Sequence, residues 1–187
     1  MTRIISGRLG GRRIAAPPGV HTRPTSDRVR EALFSAIGTM ADLAGARFAD
    51  LYAGSGAVGL EALSRGASHV LLVESDARAA RTIRENIATL RAADDVRLVT
   101  AKVATALAAP PDGPGYDIVF ADPPYAVTDD QLRAVLDALV TNGWLAAEAV
   151  VVVERSARGP ALTWVEGITA ERGRRYGETM LWYGRRS

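Results

Sequence analysis

Asp122-Pro123-Pro124-Tyr125 follows directly on the apolar run Tyr116-Asp117-Ile118-Val119-Phe120-Ala121, and its residue types suit the capture of a planar amine. Asp122 supplies a carboxylate. Two consecutive prolines lack N–H donors and hold φ near about −65°, which turns the carbonyls before and between them away from any ladder and toward a ligand. Tyr125 adds a π-face on which an adenine or guanine ring can stack. Asp-Pro-Pro by itself is an ordinary turn. Here the preceding run reads as a buried parallel strand, and ligands in open α/β sheets sit just beyond the carboxyl ends of such strands.

A second constellation lies upstream. Asp50-Leu51-Tyr52-Ala53-Gly54-Ser55-Gly56-Ala57-Val58-Gly59 contains a literal G-x-G-x-x-G between a strand pattern and a helix pattern, so a nicotinamide or flavin cofactor has to be weighed. One residue points to a different cofactor, and a second suits either class. Asp50 places a charge inside the strand, where a dinucleotide fold stays apolar up to its first glycine, and a carboxylate there suits a cationic group such as an α-amine. Glu74, 20 residues after Gly54, stands at the tip of the next strand pattern and can accept both hydroxyls of a ribose.

The elements that position these groups read as βα repeats. Arg47 to Ala53 is expected to be a strand, Gly54-Ser55-Gly56 a tight turn, and Ala57 to Arg65 a helix closed by Gly66. His69 to Glu74 is the second strand, Ala77 to Arg91 a helix with Ala80, Ile83, Ile87 and Leu90 inward, and Val96 to Thr100 the third strand. Lys102 to Ala109 reads as a short helix, Tyr116 to Ala121 as the fourth strand, Gln131 to Val140 as a helix, and Ala149 to Glu154 as a valine strand covered on both faces. Ile168 to Arg174 and Thr179 to Tyr183 are close enough in sequence to form an antiparallel pair. Ahead of the repeats, Thr25 or Ser26 can cap a helix carrying Val29, Leu33, Ala36, Ile37 and Met40 as its apolar stripe. Arg3 to Ala16 reads as a hairpin with strands Ile4 to Leu9 and Arg12 to Ala16 turning at Gly10-Gly11, ended by Pro17-Pro18-Gly19; the run through His21-Thr22-Arg23-Pro24 is expected to be extended. An isolated hairpin is marginal, so this one must lean on the domain or on a partner, and its arginines favour a partner.

Composition narrows the classes further. A chain of 187 residues can bury roughly 70% of its unfolded surface, so it needs no staple. It has no cysteine and only two histidines, His21 and His69, which excludes disulfides and thiol chemistry and argues against a bound metal. The longest greasy run, Ala149 to Val153, falls far below the roughly 18 residues of a membrane span, and a reducing cytoplasm fits. Charge is lopsided. Residues 1–30 hold Arg3, Arg8, Arg12, Arg13, Arg23, Arg28 and Arg30 against Asp27 alone, whereas the other 157 residues carry 16 basic and 20 acidic groups. Such a cluster of planar, bidentate cations is the footprint of a nucleic-acid contact, although Asp27 and Glu31 lie close enough along a helix to claim some of these arginines as ion pairs.

Taken together, Asp-x-x-x-Gly-x-Gly, the acidic strand tip and Asp-Pro-Pro-Tyr resemble the S-adenosylmethionine-dependent amino-methyltransferases. Arg3-Ile4-Ile5-Ser6-Gly7 and Arg23-Pro24-Thr25-Ser26-Asp27-Arg28-Val29-Arg30-Glu31-Ala32-Leu33-Phe34 resemble more specifically the N-terminal signature of the bacterial small-subunit (16S) ribosomal RNA guanine-N2 methyltransferases, and the likeness covers nearly the whole chain. The resemblance implies a Rossmann-like class I α/β fold with a seven-stranded, mostly parallel sheet whose last strand is antiparallel, plus the N-terminal hairpin arm. It divides the chain into an RNA-binding arm over residues 1–24 and a methyltransferase domain over residues 25–187. It implies S-adenosyl-L-methionine on Asp50, Tyr52, Gly54, Ser55, Gly56 and Glu74, the target amine at Asp122, Pro123, Pro124 and Tyr125, and 16S ribosomal RNA or an assembling small subunit as partner of a monomeric enzyme. Many relatives carry an acidic residue after the third strand to contact adenine. This chain has Ala101-Lys102-Val103, so backbone groups at Lys102 and Val103 are expected there. Related Pro-Pro-Tyr motifs also serve DNA adenine N6 and protein glutamine, and a non-catalytic RNA-binding module is the rival from another class.

Overall fold

The computed structural model of the protein describes residues 2–17 and 26–187. Its main sheet has seven strands, β3 (Arg47–Leu51), β4 (His69–Glu74), β5 (Val96–Thr100), β6 (Tyr116–Ala121), β7 (Leu145–Ser156), β8 (Ile168–Tyr176) and β9 (Thr179–Arg186). They lie in the order β5-β4-β3-β6-β7-β9-β8. The neighbours from β5 across to β7 pair in parallel, and β9 runs antiparallel to both β7 and β8. From β3 the chain moves outward through β4 and β5, then returns to place β6 on the other side of β3. That reversal opens a crevice at the carboxyl ends of β3 and β6, the position where doubly wound sheets bind ligands.

Strand residues split by their period of two between two cores. Phe48, Val70, Leu72, Ile118, Phe120, Val150 and Val152 pack with α1 (Asp27–Met40), α2 (Ala57–Ser64) and α3 (Ala77–Thr89). Ala49, Leu51, Leu71, Val73, Val119, Ala121, Val151 and Val153 pack with α4 (Val103–Ala106) and α5 (Asp129–Thr141). Because both faces are covered, the central strands are apolar throughout, as parallel strands must be. Among the expected boundaries, β4, β5 and β6 agree residue for residue, and Ser26 caps α1 by accepting the Val29 N–H. The helix after Lys102 is shorter than expected, and β7 begins at Leu145 instead of Ala149 because an irregular register near Tyr116 carries the pairing back.

The arm keeps the expected antiparallel pair of strands but shortens it. Its strands are only β1 (Thr2–Arg3) and β2 (Arg13–Ile14), with Thr2 opposite Ile14 and Arg3 opposite Arg13. Residues 5–11 form a compact loop, not two strands meeting at Gly10-Gly11. The reason is docking: Glu61 of α2 accepts the N–H groups of Ile5 (2.8 Å) and Ser6 (3.0 Å), and Ser64 accepts those of Arg8 and Leu9 (both 2.9 Å). Gly7, at φ +85°, lies so close that a Cβ would stand 2.0 Å from the Ser64 carbonyl oxygen. Ile4, Leu9 and Ile14 are buried in the same core as α1 to α3. The arm thus leans on the domain. The expected extended run through His21 to Pro24, Arg23 and the boundary at residues 24 and 25 lie outside the described residues.

Candidate active site

The glycine turn joins β3 to α2 and is held from three sides. Ala53 donates to the Val73 carbonyl (2.9 Å) and Gly56 to Ala53 (2.8 Å), while the Gly54 N–H reaches the Glu74 Oε1 (2.8 Å). Tyr52 (φ +62°), Gly54 (+61°) and Gly56 (+82°) all have positive φ, the region that L side chains rarely occupy. A Cβ on Gly54 would meet no atom within 4 Å, so this glycine faces open space at the rim. A Cβ on Gly59 would stand 2.3 Å from Leu72, so the third glycine serves close packing of α2 on the sheet.

Asp50 takes a different place from the one expected of it. It is 2% exposed, and its Oδ2 accepts the Gly59 N–H at 2.9 Å. Burial pushes its carboxyl well above the ordinary range, the Gly59 bond opposes this, and the fields of Glu74 and Glu154 add to it. Asp50 therefore supports the turn from beneath and is not a rim carboxylate waiting for an amine. Glu74 is the rim carboxylate. Its two oxygens accept from Gly54 and from Asp76 (2.8 Å each), which fixes the group at the tip of β4 while its remaining lone pairs suit ribose hydroxyls. Lys102 is the N-cap of α4, with Val103 starting the helix; the Val103 side chain is buried, so it can offer a ligand only its backbone.

Across the crevice, Asp122 continues β6, and its N–H points at the Leu51 carbonyl at 3.4 Å. This contact ties the Asp-Pro-Pro-Tyr turn to the strand that carries the glycine turn. Asp122 is half-buried, Pro123 buried, Pro124 exposed, and Tyr125 is 82% exposed, the exposed large apolar side chain of the described residues. The Pro124 carbonyl accepts from Val127 (2.9 Å), so the turn uses that oxygen to close itself. Arg155 at the end of β7 donates to Val127 O (3.2 Å) and pairs with Asp129 (2.9 Å), clamping the far end of the turn. Sequence reasoning overlooked Arg155; its signal was a charged residue directly after a valine strand. It also overlooked Asn86, which is 1% exposed. Its amide donates to Ser55 O (3.0 Å) and closes a two-way bond with Ala15, joining the glycine turn to the end of the arm.

The arginines separate into two groups. Arg3, Arg8, Arg12, Arg13 and Arg28 are exposed. Arg3 and Arg8 make long surface pairs with Asp27 (4.0 Å) and Asp95 (3.8 Å), which hold them weakly, and Arg12 donates to Thr89 O. Arg30 is 1% exposed and lies between Glu61 (3.7 Å) and Asp27 (3.0 Å), donating to Arg3 O at 2.6 Å. The expectation that it contacts RNA is corrected by that burial: it is the ion-paired post around which arm, α1 and α2 meet. Among the described residues no helix is long and apolar enough to cross a membrane.

Comparison with known proteins agrees with this geometry. The family described as "Conserved hypothetical protein 95" matches residues 2–185. The chain is 41% identical over 152 residues to the ribosomal RNA small subunit methyltransferase D of Escherichia coli K12, covering 81% of this chain and 73% of that one. It is 33% identical to the protein of the same name from Haemophilus influenzae, over 86% of this chain and 82% of its relative. The solved structure of the Escherichia coli protein yhhF superposes over all of this chain and 98% of its own, with a TM-score of 0.84 and 36% identity. The matched span takes in the docked arm, the glycine turn and the Asp-Pro-Pro-Tyr turn alike, and so the chain belongs to the "Conserved hypothetical protein 95" family, together with the small-subunit ribosomal RNA methyltransferases D that it resembles.

Proposed function

We propose that this protein transfers a methyl group from S-adenosyl-L-methionine to the exocyclic N2 amine of a guanine in small-subunit ribosomal RNA. The observation that carries the reading is the juxtaposition at the switch point: an Asp-Pro-Pro-Tyr turn at the end of β6 bonded to the end of β3, whose next residues form the glycine turn. The chain's own groups fit the cofactor. Open space over Gly54 admits it, and Glu74 is fixed for its ribose. Lys102 and Val103 flank the adenine side through their backbone, and Asp50 acts by holding the turn. The bound cofactor supplies a methyl carbon activated by a sulfonium leaving group.

An exocyclic amine is a poor nucleophile because its lone pair is delocalised into the ring. Asp122 and the Pro123 carbonyl accept its hydrogens and favour pyramidalisation, while Tyr125 stacks on the base and Pro124 shapes the slot. As the N–C bond forms and the C–S bond breaks, the surplus proton on nitrogen leaves along the Asp122 contact. Alignment of this kind contributes up to roughly 7–11 kcal/mol. The base must first leave its stack, at a cost of a few kcal/mol, and contacts from Arg3, Arg8, Arg12, Arg13, Arg23 and Arg28 to phosphates offset it. The partner is an assembling small subunit, and a single copy suffices because both halves of the site come from one chain. The test is to incubate the protein and labelled cofactor with small-subunit particles lacking the modification, then digest to nucleosides. Label in N2-methylguanosine is expected; label in N6-methyladenosine or in protein contradicts the reading.

A further inference from the structure

A further carboxylate, Glu154, stands near the end of β7. Ala121 of β6 pairs with Val153 of β7, so one step further on the two strands carry Asp122 and Glu154 side by side. Neighbouring strands lie about 4.8 Å apart, a spacing that lets two acceptors grip adjacent donors on a single base edge. Phe120 and Val152 face the core shared with α1 to α3, as does Leu181, the residue opposite Glu154 on β9. The period of two puts Glu154 on that same face, toward the glycine turn. Its field reaches the buried Asp50 beneath that turn, which places its charge close to the crevice. Glu154 is half-buried, so a base in the slot meets it with little intervening water.

The chemistry of the edge then discriminates between bases. Guanine presents the N2 amine next to an N1–H, an unbroken row of donors. Adenine and its analogues present their amine next to a bare N1, an acceptor. Two carboxylates side by side complement the first pattern and repel the second.

We propose that Glu154 accepts the N1–H of the target guanine and is the residue that makes the site select guanine. The assignment rests on the guanine-N2 reading above. A carboxylate has about four lone-pair sites, so the base edge does not require an otherwise empty Glu154. Asp122 grips the nitrogen that reacts, and Glu154 checks the nitrogen beside it.

The test compares small-subunit particles carrying guanine at the target with particles carrying 2,6-diaminopurine there, at mildly alkaline pH. The analogue keeps the N2 amine but has a bare N1. Wild type is expected to methylate guanine faster by on the order of ten- to hundredfold. In Glu154→Gln the amide can accept from N1–H or donate to a bare N1, so the preference should collapse, with cofactor affinity by calorimetry unchanged. Glu154→Leu should lose rate on guanine and lose the preference with it. A ratio of two rates on one protein does not move when a variant is merely less stable. If both variants keep the wild-type ratio, the Glu154 assignment is overturned while the guanine reading stands. If wild type leaves guanine unmethylated, the guanine reading fails and the assignment falls with it.

Discussion

Asp50 shows how a charged residue can serve a site without touching its ligand. Its carboxyl is sealed under the turn, so the folded state favours the protonated form. For an acid whose folded pKa is raised, both states are protonated at low pH. As pH climbs past 3.8 the unfolded chain ionises first, and stability falls until the pH passes the raised folded value. Asp50→Asn keeps an oxygen for the Gly59 N–H and removes the titration. Its stability relative to wild type should therefore rise between about pH 4 and about pH 7 in denaturant melts. A difference that stays flat over this range would show that Asp50 is ionised in the fold. The turn from Asp122 to Tyr125, by contrast, follows directly on the end of β6, where the sequence put it, because local residue types decide how a strand ends.

The elements of the βα repeats were readable because each announces itself locally, by caps, by period and by β-branched runs. The start of α5 was read two residues late because its signal is a reciprocal cap: Thr128 accepts from Gln131 N–H, and the Gln131 side chain accepts from Thr128 N–H. The arm was misread for a different reason. Its partners Glu61 and Ser64 are 55 or more residues away, and nothing near Gly7 reveals them. Nor does the sequence around Arg30 reveal that Glu61 takes the guanidinium out of the exposed arginine cluster. Glu61 is fully buried and accepts from Ile5, Ser6 and Arg65 while facing Arg30. Glu61→Ala leaves the buried Arg30 with only the half-exposed Asp27 as counter-charge and strands two backbone donors, so unfolding free energy should fall by about 3–5 kcal/mol and proteases should cut the arm. A loss below about 1 kcal/mol would make this junction ornamental to the fold.

At the scale of the whole molecule, charge and topology divide the labour. The sheet reverses between β3 and β6, so the glycine turn and the Asp-Pro-Pro-Tyr turn share one crevice, while the exposed arginines of the arm and of the start of α1 make a positive field. Topology was legible as repeated strand and helix patterns, but the docking that makes arm and domain one body was not. The central claim is that an amine nitrogen is held by Asp122 opposite the transferred methyl. Its most direct test is single-turnover methyl transfer to unmodified small-subunit particles by wild type and Asp122→Ala, with cofactor affinity measured alongside. The account predicts a fall in rate on the order of a hundredfold or more with cofactor affinity nearly unchanged; transfer at the wild-type rate would contradict it.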